Sequence, residues 1–168
     1  MKHDIQTDTH DGDVVVFLLG MQPKRAWRLD QTLFVARSMR RMQAEIERDR
    51  AAGGALGYLG GFNALAPSGP LVVQYWRSFD DLEKYSHSTD FEHRPAWLKF
   101  YSMTHDAGRA RVGIWHETYR VPAGAHETIY GDLSAPVGLA AAVGAQPVER
   151  RGRTSRERIG AVAAQTSS

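Results

Sequence analysis

The chain predicts an α+β fold with the split β-α-β-β-α-β order of a ferredoxin-like domain. Three observations carry that expectation. The run Gly12 to Met21, with three consecutive valines, reads as a buried strand. Gln31 to Ala52 and Phe91 to Thr104 place apolar and aromatic residues at helical spacing. Between those helices lie two strand-like segments joined by the turn residues Ala66 to Pro70.

Taken in order, the first strand gives way at Pro23 to a basic loop. The helix that follows repeats Leu33, Phe34, Ala36, Met39, Met42 and Ile46 on one side, with arginines between. Asp30 is placed to cap it and Gly53-Gly54 to stop it. Leu56 to Leu65 reads as a strand weakened by glycine, with a bulge expected near Gly60-Gly61. Leu71 to Trp76 completes a hairpin with it. Ser78 followed by Asp81 has the spacing of a capping arrangement for a short helix carrying Leu82 and Tyr85. Pro95 is tolerated in the first turn of the next helix. Arg111 to Val121 is the fourth strand, and Ala125 to Tyr130 extends as another short one.

One domain is expected over residues 12–140, with a flexible N-terminus over 1–11 and a disordered Arg/Ala-rich tail over 141–168. Helices on one face of an antiparallel sheet leave the other face to be covered, and a second copy of the sheet predicts a homodimer.

No cysteine is present, so disulfides, thiolate metal sites and a cysteine nucleophile are excluded. The polar start MKHDIQTDTHDGD has no signal-peptide core, and the longest apolar run, Val14 to Leu19, is too short for a membrane span. A cytoplasmic protein is the expectation. The formal charge of +2 is concentrated in the first helix and the tail. Nothing aromatic interleaves the tail arginines, so nucleic acid is not expected as a partner, and without a signal core or spanning run neither is a membrane. There is no G-x-G-x-x-G, P-loop or G-x-S-x-G, and no histidine spacing typical of a metal site.

The chemistry concentrates between Val72 and Tyr130, which hold three of the four tryptophans and five of the seven histidines. Such a stretch suggests a lined cavity with a few polar groups. On the last strand Val112, Ile114, His116 and Thr118 share one face, and Trp115, Glu117 and Tyr119 the other. His116 reads either as a hydrogen-bonded core histidine or as a general base. In the second long helix His93, Trp97 and Phe100 or Tyr101 line one face. His93 reads as a helix cap, an acid/base or an axial haem ligand. Glu92, Glu117 and Glu127 each neighbour a histidine, but Glu117 cannot orient His116 across the strand. Trp76, Tyr75, Tyr119 and Tyr130 offer flat walls or phenolic donors.

The segments VVFLLGM, VQYWRSFDDLEKYS, HRPAW, VGIWHETY and VPAGAHETIYGDL, in this order, resemble a family grouped with the fumagillin-pathway monooxygenase-like proteins, within the dimeric α+β barrel superfamily. The resemblance spans about Asp13 to Leu139 and implies a sheet-to-sheet dimer with a cavity between sheet and helices. It implies oxygen-dependent chemistry of a cofactor-free or a haem-using kind. Trp76, His93, Trp97, Trp115, His116, Glu117, Tyr119, Glu127 and Tyr130 fall on its matching positions.

The expectation is a small cofactor-independent monooxygenase for an aromatic or polyketide-like molecule, with His93, His116 and Glu117 catalytic and Trp76, Trp97, Trp115, Tyr119 and Tyr130 lining the substrate. A haem protein with His93 as ligand is the second reading. A non-catalytic module for a small hydrophobic ligand is the third.

Overall fold

The computed structural model describes residues 4–24, 29–104 and 112–160. Along the chain run β1 (Ile5–Asp8), β2 (Val14–Pro23), α1 (Leu29–Ala51), β3 (Tyr58–Ala66), β4 (Gly69–Trp76), α2 (Phe79–His87), α3 (His93–Thr104), β5 (Val112–Val121), β6 (Tyr130–Gly131), α4 (Gly138–Val143), β7 (Ala145–Pro147) and α5 (Ser155–Arg158). The main sheet has the antiparallel order β3-β4-β2-β5, which is the ferredoxin-like arrangement of an α+β fold. A smaller sheet, β6-β1-β7, stands beside it.

Local chemistry accounts for the boundaries. Ser78 caps α2, its side chain accepting from the Asp81 amide. The hairpin register shifts between Tyr58 and Gly60, so the expected bulge falls one residue early. At Gly60, φ is +150° and an added Cβ would lie 2.7 Å from Ala142 Cβ, so glycine lets α4 approach the strand. Asp30 lies in the first turn of α1 rather than at its cap.

Helices α1, α2 and α3 cover one face of the sheet, and the core there has two parts. Val15, Ile46, Tyr58, Trp76, Leu82 and Tyr85 form the first. Met21, Val35 and Val112, with Phe100 and Ile114 against them, form the second. Trp76 has no exposed surface and meets the rings of Tyr58 and Tyr85 at 5.5 and 5.6 Å. Its indole N–H donates to Gln74 Oε1 at 3.1 Å, and Gln74 donates on to Gln43 at 3.0 Å. Gln43 donates to the Tyr58 hydroxyl at 2.7 Å, which donates to Glu47 at 2.8 Å. The chain of donors satisfies every polar atom the ring cluster buries.

Both ends of the described chain depart from the expected looseness. β1 pairs with β6 and β7, so residues 5–8 are structured rather than flexible. Arg151 is buried with Nη1 2.9 Å from each oxygen of Asp8, and it also bonds the His10 carbonyl and Asp11. Arg158 is buried against Glu127. The tail arginines read as solvated charge because their partners are distant in sequence. Residues 161–168 lie outside the described residues. The strand expected over 125–130 is confined to Tyr130–Gly131, and Thr128 and His126 turn their side chains to Asp8.

Candidate functional site

The register of β5 on β2 settles which side chains share a face. Leu19 stands opposite His116, Gly20 opposite Trp115 and Leu18 opposite Glu117. Residues directly paired point the same way, so His116 joins Phe17, Leu19, Met21 and Ile114 on the helix side. Its ring lies 5.6 Å from that of Phe17. Trp115, Glu117 and Tyr119 occupy the opposite face. There Trp115 lies across Gly20, where a Cβ would come within 2.3 Å of the indole.

His93 opens α3 and faces the same space. Its Nδ1 lies 2.8 Å from the Ser86 carbonyl, at the end of α2. A carbonyl only accepts, so Nδ1 carries the proton and Nε2 keeps the lone pair. Burial lowers the pKa of the ring below its ordinary value; the Ser86 hydrogen bond opposes this, and His87 and His116 reinforce it. His93 and His116 therefore sit within electrostatic reach of each other, one from α3 and one from β5. Tyr85 backs His93 at 6.2 Å between ring centres, and its hydroxyl donates to Glu45 at 2.8 Å. A neutral, oriented imidazole beside a second, water-accessible one can accept a proton from a bound molecule and hold it.

The other expected site residues lie elsewhere. Trp76 is enclosed in the core, with no surface open to a ligand. Trp97 touches Phe100 at 6.2 Å between ring centres but turns half its surface to water. Glu117 accepts from the Tyr119 hydroxyl at 2.7 Å on the far face of the sheet. Tyr130 accepts from the Ala140 amide at 3.1 Å, beside Tyr75, also away from the histidines. Glu92 meets Arg41 at 3.6 Å, and Glu127 pairs with Arg158. His93 thus lies within electrostatic reach of His116 on the helix side of the sheet, and the remaining candidates lie elsewhere.

Among the described residues no group of three or more His, Asp or Glu side chains could hold a metal ion. A single axial imidazole is a different requirement. His93 has the tautomer such a ligand needs, since a ligating histidine characteristically gives its other N–H to a carbonyl.

Helices on one side of a four-stranded antiparallel sheet define a small α+β protein of ferredoxin-like architecture. The chain belongs to the monooxygenase af470-like family, whose model matches residues 14–139. No curated protein sequence matches it. Among solved structures, an aldoxime dehydratase aligns at 17% identity with a TM-score of 0.58, over 80% of this chain. The chain spans 39% of that enzyme's length, and the likeness is one of fold. A dimeric ferredoxin-like protein of unknown function from Bacteroides fragilis aligns at 14% identity and TM-score 0.38, over 63% of this chain and 96% of its own. Rv0793 from Mycobacterium tuberculosis aligns at 17% identity and TM-score 0.34, over 62% and 92%.

Two features, one at the candidate site and one structural, escape sequence reasoning. The orienting group on His93 is a main-chain carbonyl, which has no residue signature. The Asp8, His126 and Arg151 cluster joins positions up to 143 residues apart.

Proposed function

We propose that the protein is a small monooxygenase-like oxidoreductase acting on an aromatic or polyketide-like molecule held between α3 and the sheet. The observation that carries the reading is the neutral His93, its Nδ1 proton held on Ser86 and its Nε2 left as the basic nitrogen, within electrostatic reach of His116. Family membership supports the oxygen chemistry.

The reaction balances without a further reductant when the substrate carries an acidic CH2 beside a phenol or enol. His93 takes a proton from that carbon, and the resulting anion gives an electron to oxygen. The two recombine at the same carbon. The second C–H proton then leaves as the O–O bond breaks. One oxygen atom stays as a ketone, and the other departs as water with the two hydrogens. Phe17, Phe100 and Ile114, each half-buried, supply the apolar side of the site, while His116 meets solvent. His116 stabilises the phenolate or enolate oxygen.

The same imidazole supports a second reading, in which His93 Nε2 ligates haem, which when bound supplies an iron for oxygen or substrate activation. An absorbance spectrum of the purified chain, followed by haem titration, separates the two. A colourless protein with no Soret band on titration and oxygen uptake with an anthrone-type substrate supports the first. A Soret band lost in His93→Ala supports the second. Ligand-dependent thermal stabilisation with neither response would reduce the protein to a binding module.

The opposite face of the sheet is proposed as the homodimer contact. Trp115, Tyr119 and Phe62 present apolar surface there, and Tyr119 and Phe62 are exposed.

A further inference from the structure

The outer faces of α1 and α3 form one surface that the proposed chemistry does not use. The helices run antiparallel side by side. Gln31 Nε2 donates to the Met103 carbonyl at 3.5 Å, while Arg41 meets Glu92 at 3.6 Å and the Glu92 amide donates to Glu45 at 3.1 Å. That pairing sets Leu33 beside the Tyr101 turn and Arg37 beside the Trp97-Leu98 turn.

On α3, Arg94, Trp97, Leu98 and Tyr101 follow i, i+3, i+4 and i+7 spacing and share a face. On α1, Leu33, Arg37, Arg40 and Arg41 follow i, i+4, i+7 and i+8 spacing and likewise share a face. Leu98 is 58% exposed, Tyr101 55%, Trp97 51% and Leu33 46%. Among the described residues Arg37, Arg40, Arg41, Arg94 and Lys99 frame this apolar stripe; Arg41 meets Glu92 at 3.6 Å and Arg94 donates to the His87 carbonyl at 3.1 Å.

An apolar stripe holding a tryptophan and a tyrosine, framed by cations, matches an anionic lipid–water interface. The rings and leucines enter at headgroup level and the cations meet phosphates. A second copy docked symmetrically would set like charges together. A single-stranded nucleic acid could stack bases on Trp97 and Tyr101 but would leave Leu33 and Leu98 without a match. We infer that the α1–α3 outer face docks the protein reversibly on an anionic lipid surface. The inference does not rest on the proposed oxidation.

Co-sedimentation of the full chain tests it, with vesicles of phosphatidylcholine alone and vesicles in which phosphatidylglycerol replaces part of that lipid. The chain pellets with the anionic vesicles only, and less as salt rises. Arg37→Gln and Arg40→Gln each weaken partitioning about fivefold. Leu98→Ser weakens it on the order of tenfold. Should Leu98→Ser melt early, Leu33→Ser replaces it. Failure to pellet with either vesicle overturns the inference, as does equal, salt-insensitive pelleting with both. So does a Leu98→Ser variant that changes self-association in ultracentrifugation while pelleting like the unaltered chain, or binding to nucleic acid with none to vesicles.

Discussion

His93 donates its Nδ1 proton to the main-chain carbonyl of Ser86, seven residues earlier, at 2.8 Å. The bond joins the end of α2 to the start of α3 and selects one tautomer of a neutral ring. Nitrogen-detected NMR at neutral pH therefore shows His93 protonated at Nδ1. Because the partner is main chain, Ser86→Ala leaves that signal in place.

The His93 ring titrates below its ordinary value of 6.5, with burial as the leading cause. A lowered histidine pKa means the unfolded chain binds the proton more readily. Its contribution to stability is therefore complete above the unfolded value and is lost as pH falls through that value toward the folded one. Denaturant melts between neutral and mildly acidic pH check the sign: His93→Gln flattens the acid-side loss.

Arg151→Met leaves the carboxylate of Asp8 buried without its main cation and costs about 3–5 kcal/mol. Burial pushes the Asp8 carboxyl up, but hydrogen bonds from His126, Thr128 and the His10 amide outweigh it and hold it well below the usual range. That stability is present above the ordinary carboxylate value and is lost as pH falls through the folded one. Urea unfolding of Arg151→Met beside Arg156→Met, an exposed control, separates a structural clasp from a loose tail.

Tyr58→Phe removes the hydroxyl that accepts from Gln43 and donates to Glu47, leaving only their direct bond at 3.2 Å, and costs about 1–3 kcal/mol. Trp76→Ala costs about 3–5 kcal/mol, because the ring is wholly enclosed. Thermal melts of both, and of the double variant, show a coupling between them, since one hydrogen-bonded chain runs through both residues.

Gly20→Ala drives a Cβ into the Trp115 ring and costs about 1–3 kcal/mol. Tryptophan emission shifts with the displaced indole. Chemistry at His116 persists, because that side chain leaves the sheet on the other side.

The fold was legible because its signals are local. Three valines, a helical repeat of Leu33 to Ile46, the Ser78-Asp81 cap and the glycines at the bulge each act within a few residues. The site was half legible. Alternation separated His116 from Trp115, Glu117 and Tyr119, but only the pairing of Leu19 with His116 shows which set meets the helices. Trp76 read as a wall because its hydrogen-bond partner, Gln74, is an inconspicuous residue two positions away. The tail read as disordered because the acids that bury Arg151 and Arg158 lie at Asp8 and Glu127, beyond any sequence window.

The pairing of His93 with His116 is the central claim, and oxygen uptake with an anthrone-type substrate tests it most directly. His93→Ala and His116→Ala are expected to slow uptake by about 10²–10⁴-fold, while Glu117→Gln, on the far face, retains it. Full turnover by both histidine variants, or loss confined to Glu117→Gln, would contradict it.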